Sequence, residues 1–497
     1  MNRPGGSSRH FVRTLATQLA SWTMTFLVVR YVPAYLRGSG YDALGIASAF
    51  AAAFAQLVGL GINSVLVREI ARDRTRLVAL VLSAAAARLP LTVAAFLLGT
   101  GIAVGLGYAP PQILLVMLAF AMLPFVQIYE ILINALQGLE DFKSGNTALL
   151  LERSVFALLQ VGLVLLRAPL WCFALTGLAS ALVCCAYAGM AVRRHVAANP
   201  EIVGVARFDR DTVASLVRAG LPLMVGLVFF GLWEPINKIL LSKIAGELPV
   251  GWFELAKRLG GTAMFLPSAL ATVMLPVLSR EFLADAATFH ATTRQLFRAM
   301  VLCAAPIAAV LVFGSGRIIA LLGYPPEFHG TVPVLQVLGA GITLWFLSQA
   351  AAFTLLAMER QSVVGRIGLQ LGAVALPVCA LGIWLGHRLP MVRNGAVGAM
   401  AADIALEAWM LLGYLRALPR DVVRLGDIGL VVRTSVAALP VAAAIAWIPS
   451  LRHAWVVLPA LLIYALLCLV LRCVDPADIG TVKRLAAGRL RPRANTA

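Results

Sequence analysis

The sequence predicts an all-α integral membrane protein, and three features of its composition and pattern support that class. Hydrophobic residues make up 61% of the 497 positions, charged residues only 13%, and the mean hydropathy is +0.89. Soluble domains carry about a quarter charged residues. Apolar runs of about twenty residues recur along the whole chain, which is the length of a helix that crosses a bilayer. They lack the alternating pattern of a membrane β-barrel.

Fourteen apolar stretches are long enough to be predicted as transmembrane spans, taken in order along the chain. They lie at residues 13–33, 42–67, 77–106, 112–136, 148–167, 169–192, 215–242, 249–278, 295–322, 331–358, 367–387, 394–416, 434–449 and 454–472. The first follows the basic residues Arg3 and Arg9, as a secretory signal does. Because its apolar stretch is long and no clear small-residue cleavage site follows, we expect a retained helix.

The distribution of basic residues predicts the orientation. Most of the 41 Lys and Arg lie at the amino terminus, after even-numbered spans and in the tail. The positive-inside rule places those segments in the cytoplasm. The net charge of +18 is then explained by topology and contact with anionic lipid. No basic patch with interleaved aromatic residues is present, so a nucleic-acid partner is not expected.

An internal repeat divides the chain into related parts. VLVREIARD (65–73) follows the second span and VLSREFLAD (277–285) follows the eighth. Other pairs at a similar separation are Pro90 and Pro306, which are expected to interrupt spans three and nine, Gly45 and Gly251, and LQGLED (136–141) with LLAMER (355–360). We predict two pseudo-symmetric six-helix lobes at 1–212 and 213–418, with two appended helices and a basic tail at 419–497. Parallel repeats of this kind are typical of transporters that work by alternating access.

Three segments resemble one family of transporters. They are GLGINSVLVREIARD (59–73), ALQGLEDFKSGNTALL (135–150) and SKIAGELPVGWFELAKRLGGTAMFLPSALATVMLPVLSRE (242–281). They resemble the oligosaccharide flippase branch of the multidrug/oligosaccharidyl-lipid/polysaccharide exporter superfamily, and the resemblance extends over essentially the whole chain. One position departs from the family pattern. Where many relatives carry an acidic residue in span seven, this chain has Asn237 and Lys238.

The resemblance implies a flippase for an undecaprenyl-diphosphate-linked oligosaccharide, a unit of O-antigen, capsule or exopolysaccharide. Such a substrate would move from the cytoplasmic to the periplasmic leaflet of a bacterial inner membrane through a cationic central cavity. Membrane lipids are the expected surroundings. A polysaccharide polymerase and glycosyltransferases are the partners that this function implies.

Basic residues within the spans are the candidate ligands for the diphosphate, because charge inside the bilayer is costly and is usually kept for a function. The first choice is Arg88 from one lobe with Lys257 and Arg258 from the other. Arg88 and Arg258 are expected at similar depth, without an acidic partner in the preceding turn, whereas Lys257 has Glu254 within reach. Arg30, Lys238 and Arg317 lie nearer the outer ends. The alternative for every one of these cations is an internal ion pair or a side chain that reaches to water.

Carboxylates within the spans are candidates for coupling to a proton or sodium gradient, since no phosphate-binding Gly-x-x-x-x-Gly-Lys loop is present. They are Asp403, Glu407, Glu234 and Glu130. Structural ion pairs and hydrogen bonds are the alternative for each. Consumption of product in the periplasm could also drive the flux.

The cysteines and histidines predict no catalytic or metal site. The seven cysteines (172, 184, 185, 303, 379, 468 and 473) lack Cys-x-x-Cys spacing and are expected to be small buried hydrophobic residues. The six histidines are scattered. No cofactor is expected. Three other functions stay open: a multidrug or small-molecule exporter of the same superfamily, a flippase for a peptidoglycan lipid precursor, and a membrane glycan polymerase. The outer connections are short for an enzyme of that kind.

Overall fold

All regular structure in the described part of the chain is helical. The computed structural model describes residues 6–199, 210–390, 392–419, 427–448 and 456–474. The first helices are α1 (Gly6–Val58), α2 (Ile62–Arg72), α3 (Leu77–Gly105), α4 (Pro110–Ala121), α5 (Leu123–Gly138), α6 (Phe142–Leu165) and α7 (Leu170–Ala198). α1 consists of two helical segments that meet at a kink at Arg37, where φ is 58°. They are followed by α8 (Arg210–Ile244), α9 (Leu248–Gly261), α10 (Phe265–Ala284), α11 (Ala286–Phe313), α12 (Ser315–Leu321), α13 (Thr331–Ala357), α14 (Gln361–Arg388), α15 (Gly395–Ala417), α16 (Asp427–Ala437), α17 (Leu439–Trp447) and α18 (Val457–Val470).

The helices confirm the predicted fold class. Among the described residues, 11 helical stretches are long and apolar enough to cross a membrane. Helices cover the predicted spans, but several spans contain more than one helix. The predicted second span consists of the end of α1 and the start of α2, and the eighth consists of α9 and α10. The count of fourteen spans remains a prediction, and the basic tail beyond residue 474 lies outside the described residues.

The prediction that two prolines interrupt their spans is wrong. Pro90 lies inside α3 and Pro306 inside α11, and both helices continue through these positions. In a membrane helix the backbone groups that proline frees can be satisfied by neighbouring helices and side chains. Neither of these two prolines therefore marks the end of its helix.

The two repeated acidic corners have the same backbone geometry. Glu140 ends LQGLE with φ of 64° and Glu359 ends LLAME with φ of 57°. The three hydrogen bonds that close the helix are also equivalent: Leu139, Glu140 and Asp141 donate to carbonyls 135, 137 and 136, and residues 358, 359 and 360 donate to 354, 356 and 355. The sequence repeat therefore encodes a repeated left-handed helix ending.

Left-handed residues recur elsewhere in the same order in the two parts of the chain. The matched positions are Arg37 and Gly246, Gly107 and Gly323, Glu140 and Glu359, and Arg167 and Arg393. Their separations are roughly 210 to 225 residues, as expected for two copies of one helical unit. The exact boundaries of the predicted lobes stay predictions.

Two equivalent glycines pack reciprocally where α1 meets α9. A Cβ atom on Gly45 would lie 3.6 Å from Val250 and 3.8 Å from Glu254. A Cβ atom on Gly251 would lie 3.5 Å from Asp42 on α1. Each helix therefore presents a small residue to the other, which is how membrane helices approach closely. This contact brings Glu254 next to the amino-terminal half of the chain.

The chain forms two compact units that are not continuous in sequence. Unit 1 comprises Met1–Leu259, Gly323–Thr331 and Gly368–Ala402. One of its apolar cores joins residues of α2, α3 and α5 with Leu216 of α8. The short stretch 323–331 is held in unit 1 by three hydrogen bonds: Tyr324 hydroxyl to Val29 carbonyl (2.5 Å), Trp252 indole to Glu327 carbonyl (2.6 Å) and Asn394 amide to Gly330 carbonyl (2.9 Å).

Unit 2 comprises Gly260–Leu322, Val332–Ile367 and Asp403–Ala497. Its apolar core joins α11 to the helices α16, α17 and α18. The hydroxyl of Tyr464 donates to the carbonyl of Leu302 at 2.6 Å, which ties α18 to α11. The two appended helices of the prediction therefore pack against a helix of this unit.

Candidate functional site

Five charged residues of α8 and α9 form one continuous cluster, hereafter the charge cluster. It contains the cations Lys238, Lys257 and Arg258 and the carboxylates Glu234 and Glu254. The formal charges leave one excess positive charge. Glu234 and Lys238 lie one turn apart on α8, and Glu254 and Arg258 lie one turn apart on α9. Residues at this i, i+4 spacing lie on the same face of a helix, so each helix supplies one ion pair.

Contacts between the helices connect the two pairs. The Nζ atom of Lys238 lies 2.8 Å from Oε1 of Glu234 and 2.6 Å from Oε2 of Glu254. Arg258 Nε donates to Oε1 of Glu254 at 2.6 Å. Lys257 Nζ lies 3.6 Å from Oε2 of Glu234. Lys238 and Glu254 are buried and paired, so they neutralise each other inside the cluster.

The sequence prediction that Arg258 has no acidic partner in the preceding turn is wrong. For Lys257, an ion pair with Glu254 was the alternative to substrate binding. In the structure Glu254 contacts Arg258 and Lys238, and Lys257 contacts Glu234. Arg258 lies one turn after Glu254 on α9 and takes one of its oxygens, and Lys238 of α8 takes the other.

Arg258 borders a cavity in unit 1. The cavity has an empty volume of about 650 Å³, part of it open to solvent, and residues of α1, α4, α6, α7 and α9 line it. Its walls are mostly apolar, and Arg258 and Glu254 are the charged residues among those that line it. The Arg258 guanidinium also lies 5.8 Å from the centre of the Tyr41 ring. Arg258, with 36% of its side chain exposed, is the most accessible of the three cations.

Arg88 lies in a different environment. Its side chain is 0% exposed, and Nη2 donates to the carbonyl oxygen of Gly59 and to Oδ1 of Asn63, both at 2.7 Å. Nη1 lies 3.7 Å from Oε2 of Glu130. The preceding turn of α3 was expected to offer Arg88 no acidic partner, and an internal ion pair was the alternative to substrate binding. The nearby carboxylate is that of Glu130, which α5 supplies.

Arg88 and Arg258 do not converge on one small group. Arg258 lies beside Tyr41, whereas Arg88 bonds to Gly59, just beyond the end of α1. At ~1.5 Å per residue, the helix from Tyr41 to Val58 is about 26 Å long. One diphosphate is only a few ångströms across, so the predicted clamp at similar depth is wrong. The depth estimate failed because it counted residues from predicted span ends and ignored where the side chains reach.

The remaining basic candidates are found at separate places. Arg30 lies near Gly323, where a Cβ atom would be 3.2 Å from its Nη2, and its guanidinium lies 5.4 Å from the Tyr31 ring centre. Arg317 belongs to unit 2 and donates from Nε to the carbonyl of Ile448 at 2.5 Å. It joins α12 to the end of α17. Lys238 belongs to the charge cluster.

The four acidic candidates also separate. Glu234 and Glu130 each contact a cation, as described above. Asp403 and Glu407 lie one turn apart on α15, and both are buried. Their i, i+4 spacing places the two carboxylates on the same side of that helix. Their role in ion coupling stays a prediction.

Four of the seven cysteines are buried and the other three are partly buried. Among the described residues no three His, Cys, Asp or Glu side chains come together in a way that could hold a metal ion.

Two residues with a part in these sites were missed from the sequence. Tyr41 lies against the Arg258 guanidinium, and Asn63 bonds both Arg88 and Glu130. Asn63 gave a usable signal, because it is an uncharged polar residue in the apolar stretch GLGINSV. Tyr41 gave none, since a tyrosine at the end of a membrane helix is ordinary.

Comparison with known proteins gives the family and the fold. Residues 9–282, more than half of the chain, match the model of the family described as polysaccharide biosynthesis protein. The search for similar proteins among those of curated function found no match.

Solved transporters share the fold at low sequence identity. A lipid II flippase, MurJ, in an inward closed conformation matches with a TM-score of 0.69 and 13% identity, covering 96% of this chain and 99% of that one. An inward-facing multidrug resistance MATE transporter of the MOP superfamily matches with 0.63 and 16%, covering 79% and 94%. A mutant of the Vibrio cholerae MATE transporter VcmN matches with 0.53 and 15%, covering 82% and 98%. The fold is that of MOP superfamily transporters.

Proposed function

Because the chain belongs to the polysaccharide biosynthesis protein family, we propose that it flips a polyprenyl-diphosphate-linked oligosaccharide across the bacterial inner membrane. The glycan unit moves from the cytoplasmic to the periplasmic leaflet and is then used for O-antigen, capsule or exopolysaccharide. The protein is a transporter and not an enzyme. The positive-inside rule supports cytoplasmic amino and carboxyl termini.

The observation that carries this proposal is the composition of the charge cluster. Three cations and two carboxylates leave one net positive charge beside an apolar cavity. A diphosphate brings negative charge that must be matched in a low-dielectric layer. The guanidinium of Arg258 offers the planar fork that suits phosphate oxygens, and Lys257 adds a point charge.

The contacts within the cluster suggest how substrate is exchanged. Before substrate arrives, Glu254 and Glu234 hold Arg258 and Lys257, so the cations are not left unpaired. The diphosphate then takes the place of one carboxylate on each cation. Lys238 stays between Glu234 and Glu254 and compensates the carboxylate charge that is released. Exchange of one ion pair for another avoids the cost of a bare charge in the membrane.

The alternative function with a different class of substrate is export of cationic drugs. A site for a cation would need an excess of carboxylates, whereas this cluster has an excess of cations. A lipid precursor of peptidoglycan is the second candidate, since the lipid II flippase aligns over 96% of this chain. Both lipid substrates carry a diphosphate, so the same cluster would serve either. A glycan polymerase is less well supported, because the similar folds are those of transporters.

The energy source proposed here is a proton or sodium gradient, with Asp403 and Glu407 as the carboxylates to test. They are buried neighbours on α15, and ionisable side chains within membrane spans are usually kept for a function. A polysaccharide polymerase and glycosyltransferases are the proposed partners, since they would consume and supply the glycan.

Flipping can be tested in vesicles that contain the purified full-length protein. A polyprenyl-diphosphate-linked oligosaccharide is placed in one leaflet, and its appearance in the other is followed with a membrane-impermeant glycosidase. We expect Lys257→Ala and Arg258→Ala to lower the rate about tenfold or more, and Arg258→Lys to recover part of it, because lysine lacks the planar fork. Arg433→Ala is the matched control, since Arg433 is exposed on α16 and bonds backbone carbonyls.

Two results would contradict the proposal. Wild-type vesicles that export a cationic dye but leave the lipid-linked glycan in place would favour the drug exporter. Near wild-type flipping by both Lys257→Ala and Arg258→Ala, in properly folded protein, would remove the charge cluster from substrate binding.

A further inference from the structure

The predicted second span is broken near its middle. α1 ends at Val58 and α2 begins at Ile62, and between them Leu60 and Gly61 have φ values of 49° and 64°. Left-handed backbone is natural for glycine but unfavourable for leucine. Backbone carbonyls at such a break lose their regular helical partners, and something else must hold the chain in this shape.

The break packs directly on the backbone of α8. A Cβ atom on Gly61 would clash with the carbonyl oxygen of Gly220 and lie 2.7 Å from the amide nitrogen of Met224. Conversely, a Cβ atom on Gly220 would clash with the carbonyl oxygen of Leu60. The break and α8 therefore touch through their glycines, and a larger residue at either position would push the two segments apart.

Three oxygen atoms of different kinds surround the Arg88 guanidinium at this break. They are the Gly59 carbonyl and Asn63 Oδ1, each 2.7 Å from Nη2, and Glu130 Oε2, 3.7 Å from Nη1. Asn63 also donates to that carboxylate oxygen at 3.5 Å. Carbonyl, amide and carboxylate oxygens are the ligands of hard cations, and unwound helices in transporters supply such carbonyls to coupling ions.

We propose that Arg88 is a cation built into the chain, which fills the oxygen cage of the broken helix and holds the break against α8 without a free ion. Arg88 is a positioning residue in this account, because its side chain is fully buried and its Nη2 is already bonded to two oxygens. Substrate does not reach it. The inference is independent of which substrate the protein carries.

The hydrogen bonds of Arg88 indicate that the three oxygens around it could also bind a small ion. Among the described residues, Nε and Nη1 of Arg88 have no hydrogen-bond partner, so its short contacts all involve Nη2. A monovalent cation near the position of Nη2 would keep both short oxygen contacts and the nearby carboxylate. Removing the guanidinium therefore leaves oxygens that sodium can bind.

The test compares thermal unfolding of the purified full-length protein in sodium chloride and choline chloride at equal ionic strength. The wild-type difference between the two salts is the baseline, because sodium bound elsewhere, as at the proposed coupling carboxylates, stabilises wild type and variant alike. Arg88→Ala should unfold at lower temperature in choline chloride and recover by at least about 2 °C in roughly 100 mM sodium, because an ion that binds only the folded state stabilises it. Binding of radioactive sodium should be stronger for the variant than for wild type.

Two further variants separate a tethered cation from a merely structural arginine. Arg88→Lys retains a charge near the cage and should show no sodium response. Arg88→Ala/Glu130→Gln removes the carboxylate and should lose the response of the single variant. If Arg88→Ala does not survive purification, its protease resistance in isolated membranes is compared in the two salts, as is that of Arg88→Gln. Equal stability of Arg88→Ala in sodium and choline, or equal protease resistance of both Arg88→Ala and Arg88→Gln in the two salts, overturns the proposal. Stabilisation of wild type by sodium to the same extent as Arg88→Ala overturns it as well.

Discussion

Replacement of Glu254 tests whether the charge cluster is the electrostatic centre of α8 and α9. Glu254 has a side-chain exposure of 7% and contacts Lys238 and Arg258, each at 2.6 Å. Breaking a buried ion pair from one side costs about 3–5 kcal/mol. Lys238 keeps Glu234 at 2.8 Å and Arg258 is 36% exposed, so the low end applies. We expect Glu254→Gln to lower the free energy of unfolding by about 3 kcal/mol.

The assay is equilibrium unfolding of the full-length protein in mixed micelles of increasing denaturing detergent. The matched control is Glu69→Gln, since Glu69 pairs with Arg68 and Arg72, which are 53% and 67% exposed. Such surface pairs contribute about 0–1 kcal/mol. The double variant Glu254→Gln/Lys238→Met removes both buried charges and should recover at least about 1 kcal/mol of the loss.

Equal effects of Glu254→Gln and Glu69→Gln would refute the reasoning. A double variant less stable than the sum of its single variants would also contradict it, because removal of both charges should relieve the unpaired lysine.

Two further predictions concern the helix cap at Asp285 and the membrane topology. The Thr288 hydroxyl and the Thr288 and Ala287 amides donate to Asp285 and lower the pKa of this helix cap below its usual value. The stabilising effect of this cap is therefore fully present above the unfolded-state pKa of Asp285 and is lost as pH falls through its lowered folded-state pKa. The unfolding midpoints of wild type and Asp285→Ala should differ at neutral pH and converge in acid. A difference that stays constant with pH would contradict the assignment of Asp285 as the cap. Reporter fusions at Asp285 and after Arg484 should both report cytoplasm, because basic residues concentrate in those segments, and a periplasmic signal at either would contradict the predicted topology.

Local features of the fold could be predicted from the sequence because local contacts produce them. Asp73 accepts hydrogen bonds from the amide and hydroxyl of Thr75, and Asp285 does the same with Thr288. Both matching nonapeptides therefore end in an aspartate that caps the next helical segment, a short 3-10 helix after Asp73 and α11 after Asp285. Apolar length was enough to locate the helices, since a bilayer admits few alternatives.

Contacts between distant helices could not be predicted in the same way. Spacing along α9 places both Lys257 and Arg258 near Glu254, but it does not reveal that Lys238 of α8 takes one of its oxygens. The partner of Arg88 comes from α5, some forty residues further along the chain. Residue counting also gave Arg88 and Arg258 similar depths, because it contains no information on helix breaks or on the direction of long side chains.

The interleaving of the two units has a consequence for how the protein is made. Unit 1 takes its last stretch from Gly368–Ala402, so it cannot be complete until the ribosome has passed residue 402. At about 5–20 residues per second, synthesis of that length lasts roughly 20–80 s. During this time the amino-terminal helices are already in the membrane but lack Asn394, whose amide later fixes Gly330. Chains truncated before Gly368 should therefore expose an unfinished unit to membrane proteases, however intact their first six spans are.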